Sequence, residues 1–219
     1  MVLLYPLLAH VAAVAGDPRW AAIALGDILL VTLLDGLWAR RPGAMWLALL
    51  AIPGLVLLSR TDFAMLPLLV MPAILLGIVS LGFARTLRAG RTPLIASIVE
   101  VLEGDDVDTM PPPLRRYTRG LTLAWAVLLA GLALVNAGLA LLAVPGGVLA
   151  SVGLTPPLTV TNVQWSWFAN GFNYGIVGLF FVVEFAYRRQ CFPERILGFR
   201  HFATRLARMG PSFWRKALH

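Results

Sequence analysis

Six continuous apolar stretches, at residues 2–16, 20–37, 43–59, 63–83, 120–143 and 161–187, constrain this 219-residue chain more than any other feature. Five of them reach the roughly 17–25 residues that a helix needs to cross hydrocarbon. The first, MVLLYPLLAHVAAVAG, is shorter. It ends in small residues as a signal peptide does, yet no basic residue precedes its apolar run, so it is read as a retained membrane segment that either spans or lies in the interface. Strands are excluded as spanning elements, because a membrane strand alternates in polarity and these runs do not. The expected fold is all-α, a polytopic helical membrane bundle of about six transmembrane helices.

Arginine placement orients the bundle. Arg40 and Arg41 follow the second run, Arg85, Arg88, Arg91, Arg115, Arg116 and Arg119 separate the fourth from the fifth, and Arg188, Arg189 and the whole tail follow the sixth. Only Arg19 and Arg60 fall in the alternate loops, and residues 144–160 carry no charge. The positive-inside rule then places both termini on the cytoplasmic side of a bacterial inner membrane; if the first run does not span, the N-terminus moves outside and the rest stands. Four regions result: an N-terminal membrane segment of four helices (1–83), a basic and acidic cytoplasmic loop (84–119), a membrane segment of two helices (120–187) and a basic cytoplasmic tail (188–219). In the tail, Phe199, Phe202, Leu206 and Met209 recur three or four apart, with Arg195, Arg205 and Arg208 elsewhere on the wheel. That spacing predicts a C-terminal amphipathic helix on the anionic inner leaflet.

Charge and composition decide against other classes. A net charge of +7 would point to nucleic acid in a soluble chain, but only 13% of residues are charged and the basic ones flank apolar segments. No soluble domain presents them, so nucleic acid is excluded as a partner and membrane lipid is expected. The single cysteine, Cys191, excludes an internal disulfide and any multi-cysteine metal centre.

Enzyme motifs fail one by one. DGLWAR, Asp35 to Arg40, matches the second half of the DxxDGxxAR signature of CDP-alcohol phosphotransferases, whose chemistry needs a full set of acids on a metal. The first acid's position here is Thr32. Glu100, Glu103, Asp105, Asp106 and Asp108 lack the order of a cation-binding loop and read as a counterweight to the neighbouring arginines. Cys191 has His201 nearby in sequence and no second polar partner. No metal and no cofactor is expected.

What remains is a polar stripe in the last apolar run. At about 100° per residue, Asn162, Ser166, Asn170, Asn173 and Glu184 share one helical face. Polar groups cannot face lipid unpaired, so the stripe must face other helices, where Asp27 and Asn136 are the available partners. Glu184 stands four residues before Arg188, the spacing of a helical ion pair. Asp27 sits near the middle of the second run, where a carboxylate costs about 3 kcal/mol on insertion scales. Two readings stay open: a structural hydrogen bond, or an acid–base site in which Asp27 and Glu184 are the catalytic candidates.

RTPLI (Arg91–Ile95), LRRYTRGLTLAW (Leu114–Trp125), WSWFANGFNY (Trp165–Tyr174) and VVEFAYRRQCFP (Val182–Pro193) resemble the small integral membrane proteins encoded in aryl-polyene and xanthomonadin-type gene clusters, often labelled "ketosynthase". The resemblance covers about residues 91–193 and transfers no catalytic residue. It implies an inner membrane and a neighbourhood of fatty-acid-like polyene assembly. The label itself conflicts with the residues, since a condensing enzyme needs an active-site cysteine with histidine partners in a large soluble fold. The expected role is therefore a non-catalytic accessory or docking protein for polyene-type lipid or pigment synthesis or export. Its arginines (Arg85, Arg88, Arg91, Arg115, Arg116, Arg119 and the three in the tail) would meet anionic lipid, acidic acyl carrier protein or other products of such a cluster. The alternatives are a membrane-embedded enzyme acting on lipid or acyl groups, and a small transporter. Against the latter, no duplicated halves are visible.

Overall fold

Gly16-Asp17-Pro18 shows how local chemistry starts this fold. In the computed structural model, which describes residues 4–61, 63–103 and 110–193, helix α1 (Leu4–Ala15) ends at Gly16, whose φ of +63° lies in the left-handed region that favours a residue without Cβ. Asp17 caps the next helix, α2 (Pro18–Trp38), by accepting from the Arg19 N–H at 2.8 Å, and Pro18 occupies the first helical position, where a missing N–H costs nothing. The two helices form a hairpin. Ala9, Ala12 and Ala13 on one and Ala21 and Ala24 on the other are all buried, a stripe of small side chains that lets helix backbones approach closely.

The remaining helices are α3 (Pro42–Leu58), α4 (Leu66–Thr86), α5 (Leu94–Glu103), α6 (Pro112–Leu142), a single turn α7 (Val148–Ser151), α8 (Asn162–Trp167) and α9 (Asn173–Cys191). A π turn over Phe168–Phe172 joins α8 to α9 without a break. Two short parallel strands, β1 (Ala143–Val144) and β2 (Val160–Thr161), close the uncharged loop, pairing Ala143 with Val160 and Val144 with Thr161.

Among the described residues, four helices are long and apolar enough to cross a membrane: α2, α4, α6 and the continuous Asn162–Cys191. The other two expected spans are shorter there. α3 has 17 residues, and the described α1 has 12, about 18 Å at 1.5 Å per residue. The loop expected at 84–119 is largely ordered into α5 and the first turns of α6. The expected amphipathic tail helix, with Arg195, Arg205 and Arg208, lies outside the described residues.

The chain divides into two units. The first draws on residues up to Ile74 and on Leu134–Gly178. Its core sets the alanine hairpin against Met65, Leu68, Leu69, Ala140, Ala143, Ala169 and the fully buried Trp165. The second draws on Leu75–Ala133 and residues from Leu179 onward. There Trp125 meets Phe180 and Phe181 at 4.7 and 4.8 Å, and Ser80 Oγ donates to the Ala126 carbonyl at 2.8 Å, tying α4 to α6. α5 is docked by its own N-terminus. Its orphan N–H groups at Leu94 and Ile95 donate to Thr86 Oγ1 (3.0 Å) and Thr122 Oγ1 (3.3 Å), and Ala96 and Val99 pack with Met110 and Leu114.

Candidate functional site

The polar stripe of α8 and α9 is directed at protein, as hydrocarbon requires, but not at one partner. Within the first unit it splits. Asn173 and Asn136 exchange two side-chain hydrogen bonds, at 3.1 and 3.2 Å, and Asn173 Nδ2 also donates to its own helix at the Ala169 carbonyl. Both asparagines are buried. Four residues earlier in the chain than Asn170, Ser166 points to a different helix: His10 Nδ1 on α1 lies 3.0 Å from Ser166 Oγ, and Asn170 Nδ2 donates to that same oxygen at 3.0 Å. The His10 ring stands edge-on to Trp167, 5.4 Å between centroids.

The π turn causes the split. Asn173 N–H bonds back five residues to the Phe168 carbonyl, so one extra residue is wound into the helix between Ser166 and Asn173. At a constant rotation per residue, all five groups would lie on one straight face.

Asp27 does not serve as the partner of Asn173. Its carboxylate is partly covered, and its Oδ2 is buried with no hydrogen-bond partner. Tyr5 Oη, Asn162 Oδ1 and Trp165 Nε1 share that condition in the same unit. Trp165 Nε1 donates, the Asp27 and Asn162 oxygens accept and Tyr5 Oη can do either, and each carries a desolvation cost of order 1–3 kcal/mol unless a ligand or water satisfies it.

Glu184 belongs to the second unit and is committed there. It forms the expected ion pair with Arg188 at 3.4 Å, and in addition accepts the Tyr117 hydroxyl at 2.5 Å. Tyr117 stacks near Tyr187 and Phe192, at 6.1 and 5.2 Å. A carboxylate held by a cation and a phenol, one-tenth exposed, is a clasp between α6 and α9. The sequence held no signal for Tyr117, because periodicity does not say which helices are neighbours.

The same unit carries the arginines. Arg85, Arg88, Arg91, Arg115, Arg116 and Arg119 are all exposed, at the end of α4, in the turn after it and on the first turns of α6. Arg119 Nη2 donates to the Leu87 carbonyl at 2.8 Å, which draws the two basic stretches together. Cys191 is exposed. Of the acidic run, the Glu100 side chain is exposed, and those from Glu103 to Asp108 lie outside the described residues. Compared with protein-family models, curated proteins and solved structures, the chain matches none.

Proposed function

We propose that the chain is an inner-membrane docking protein that holds an acidic acyl carrier protein at the cytoplasmic face during synthesis of an aryl-polyene-type lipid or pigment. The observation that carries this reading is the exposed basic rim: six arginines on two stretches brought side by side, beside an amphipathic helix whose apolar face is already buried. Such a surface recruits an anionic partner through long-range attraction, and rim charges act chiefly on association rate and salt dependence. Fatty-acid-like chains grow on acidic carrier proteins, which gives the rim its partner class. Glu184, once a catalytic candidate, is occupied by Tyr117 and Arg188, which supports a structural role for it.

The topology belongs to the same proposal. α2, α3, α4, α6 and α8–α9 cross, the arginine-rich ends face the cytoplasm, and α1, too short to cross, folds back along α2 from the outer side. Reporter fusions after Gly147 should read periplasmic and those at Asp106 cytoplasmic; the opposite pattern would end the assignment.

Docking is tested with the purified chain in lipid nanodiscs and a purified acidic acyl carrier protein. Binding should be measurable at low salt and fall steeply between about 50 and 200 mM salt. Replacing Arg88, Arg91 or Arg116 singly with alanine should weaken it severalfold, mostly through the on-rate. Binding that ignores both salt and these substitutions would refute the docking role.

A further inference from the structure

Serine and threonine hydroxyls inside helices normally turn back to a backbone carbonyl, and this chain follows that habit: Thr32, Thr86, Thr118 and Thr122 each donate to the carbonyl three or four residues earlier. Ser166 does not. Its Oγ is shared between two side chains, His10 Nδ1 and Asn170 Nδ2, each at 3.0 Å. We propose that Ser166 is an acyl-accepting nucleophile, with His10 as its general base, for an ester or thioester at the end of an apolar chain. The inference goes beyond docking and does not depend on the arginine rim.

The geometry meets the first requirement of nucleophilic catalysis, a hydroxyl within hydrogen-bond reach of a base. Asn170 fills one acceptor position of Oγ, which leaves the hydroxyl proton to point at Nδ1 when that nitrogen is unprotonated. The T-shaped contact with Trp167 fixes the plane of the His10 ring. A second, separate observation points to a ligand. In the same short helix, Trp165 Nε1 and Asn162 Oδ1, on side chains more than nine-tenths buried, have no partner. A donor and an acceptor one helical turn apart match a group that does both, such as a hydroxyl of the substrate or of the second acceptor. The π turn that follows is a type of irregularity that concentrates at functional sites. The core to which Trp165 belongs is apolar, with Ala9 and Ala169 in the same cluster and Leu8 packed against it, which suits an acyl chain.

In the reaction, Ser166 Oγ bonds to the acyl carbonyl carbon as its proton passes to His10 Nδ1. The tetrahedral intermediate collapses, the bond from carbon to the leaving oxygen or sulfur breaks, and His10 returns the proton to the departing alkoxide or thiolate. An alcohol or water then takes the acyl group from Ser166 by the same steps. Ser166 is fully covered while His10 and Asn170 are partly exposed, so the carbonyl enters along their edge.

A long-alkyl fluorophosphonate incubated with the full chain in lipid nanodiscs tests this directly, read by intact and peptide mass. One adduct on Ser166 is expected in the wild type, and none in Ser166→Ala. His10→Gln should slow labelling by about 10²-fold or more and flatten its pH profile, because the base is lost while a hydrogen bond remains. The wild-type result is decisive without any variant. Absence of an adduct, an adduct on another residue, or labelling indifferent to His10→Gln would each overturn the proposal, leaving the His10–Ser166 bond as a tie between α1 and α8.

Discussion

Trp165→Ala should cost about 3 kcal/mol of stability in mixed-micelle unfolding, against almost nothing for its neighbour Trp167→Ala. Trp165 is completely buried in the core cluster that also holds Ala9, Ala12, Ala21 and Ala24, whereas Trp167 is 57% exposed. Truncating a buried tryptophan costs about 3–5 kcal/mol in soluble cores, part transfer and part cavity. The lower end applies here because dissociated helices already hold their apolar side chains in lipid, so the loss is mainly of packing. The alanines around the hole have no side-chain freedom with which to fill it. Equal effects of the two substitutions would mean that α8 does not pack on the hairpin.

The second large effect concerns Asn136 and Asn173. Asn136→Leu should destabilise by about 1–2 kcal/mol, since it leaves buried polar atoms of Asn173 without their partner in a medium that supplies no water. The double variant Asn136→Leu with Asn173→Leu should lie closer to the wild type than the sum of the two single changes, because no orphan remains. The coupling is bounded by the roughly 1.7 kcal/mol maximum seen for hydrogen bonds between membrane helices. Additive single effects would show that the pair does not form. Asn173 keeps its bond to the Ala169 carbonyl throughout, which tempers the loss.

Much of this architecture is readable in the chain because hydrocarbon tolerates so few solutions. Each apolar run is helical, although α6 begins at Pro112, eight residues before the run expected at 120, and the last run is broken by a π turn; Gly16-Asp17-Pro18 marks its turn in plain letters. Asn136 is one of two partners, with Asp27, that the sequence offers the stripe, and nothing in the sequence chooses it over Asp27 for Asn173. Other features needed tertiary information. Tyr117 is an ordinary residue at the start of α6 until Glu184 is known to lie beside it. His10 belongs to the shortest of the apolar runs, and nothing in the sequence sets it against Ser166, 156 residues away. α5 hides because its signal is a buried N-terminus capped by threonines from two other helices.

The π turn gives the last helix a phase. A straight α-helix would keep Ser166 and Asn173 in fixed rotation about one axis, and any change in one would turn the other. With an extra residue wound in at Phe168–Phe172, the stretch toward α1 and the stretch toward α6 are set separately. Removing one residue there, Gly171 for instance, would let the turn relax to plain α-helix and leave Asn173 opposite Asn136. A residue removed further on, between Asn173 and Glu184, would instead turn everything beyond it by about 100° and carry Glu184 off the face it now presents. The π turn is thus the one stretch of this helix whose length can change without changing which way its polar groups face.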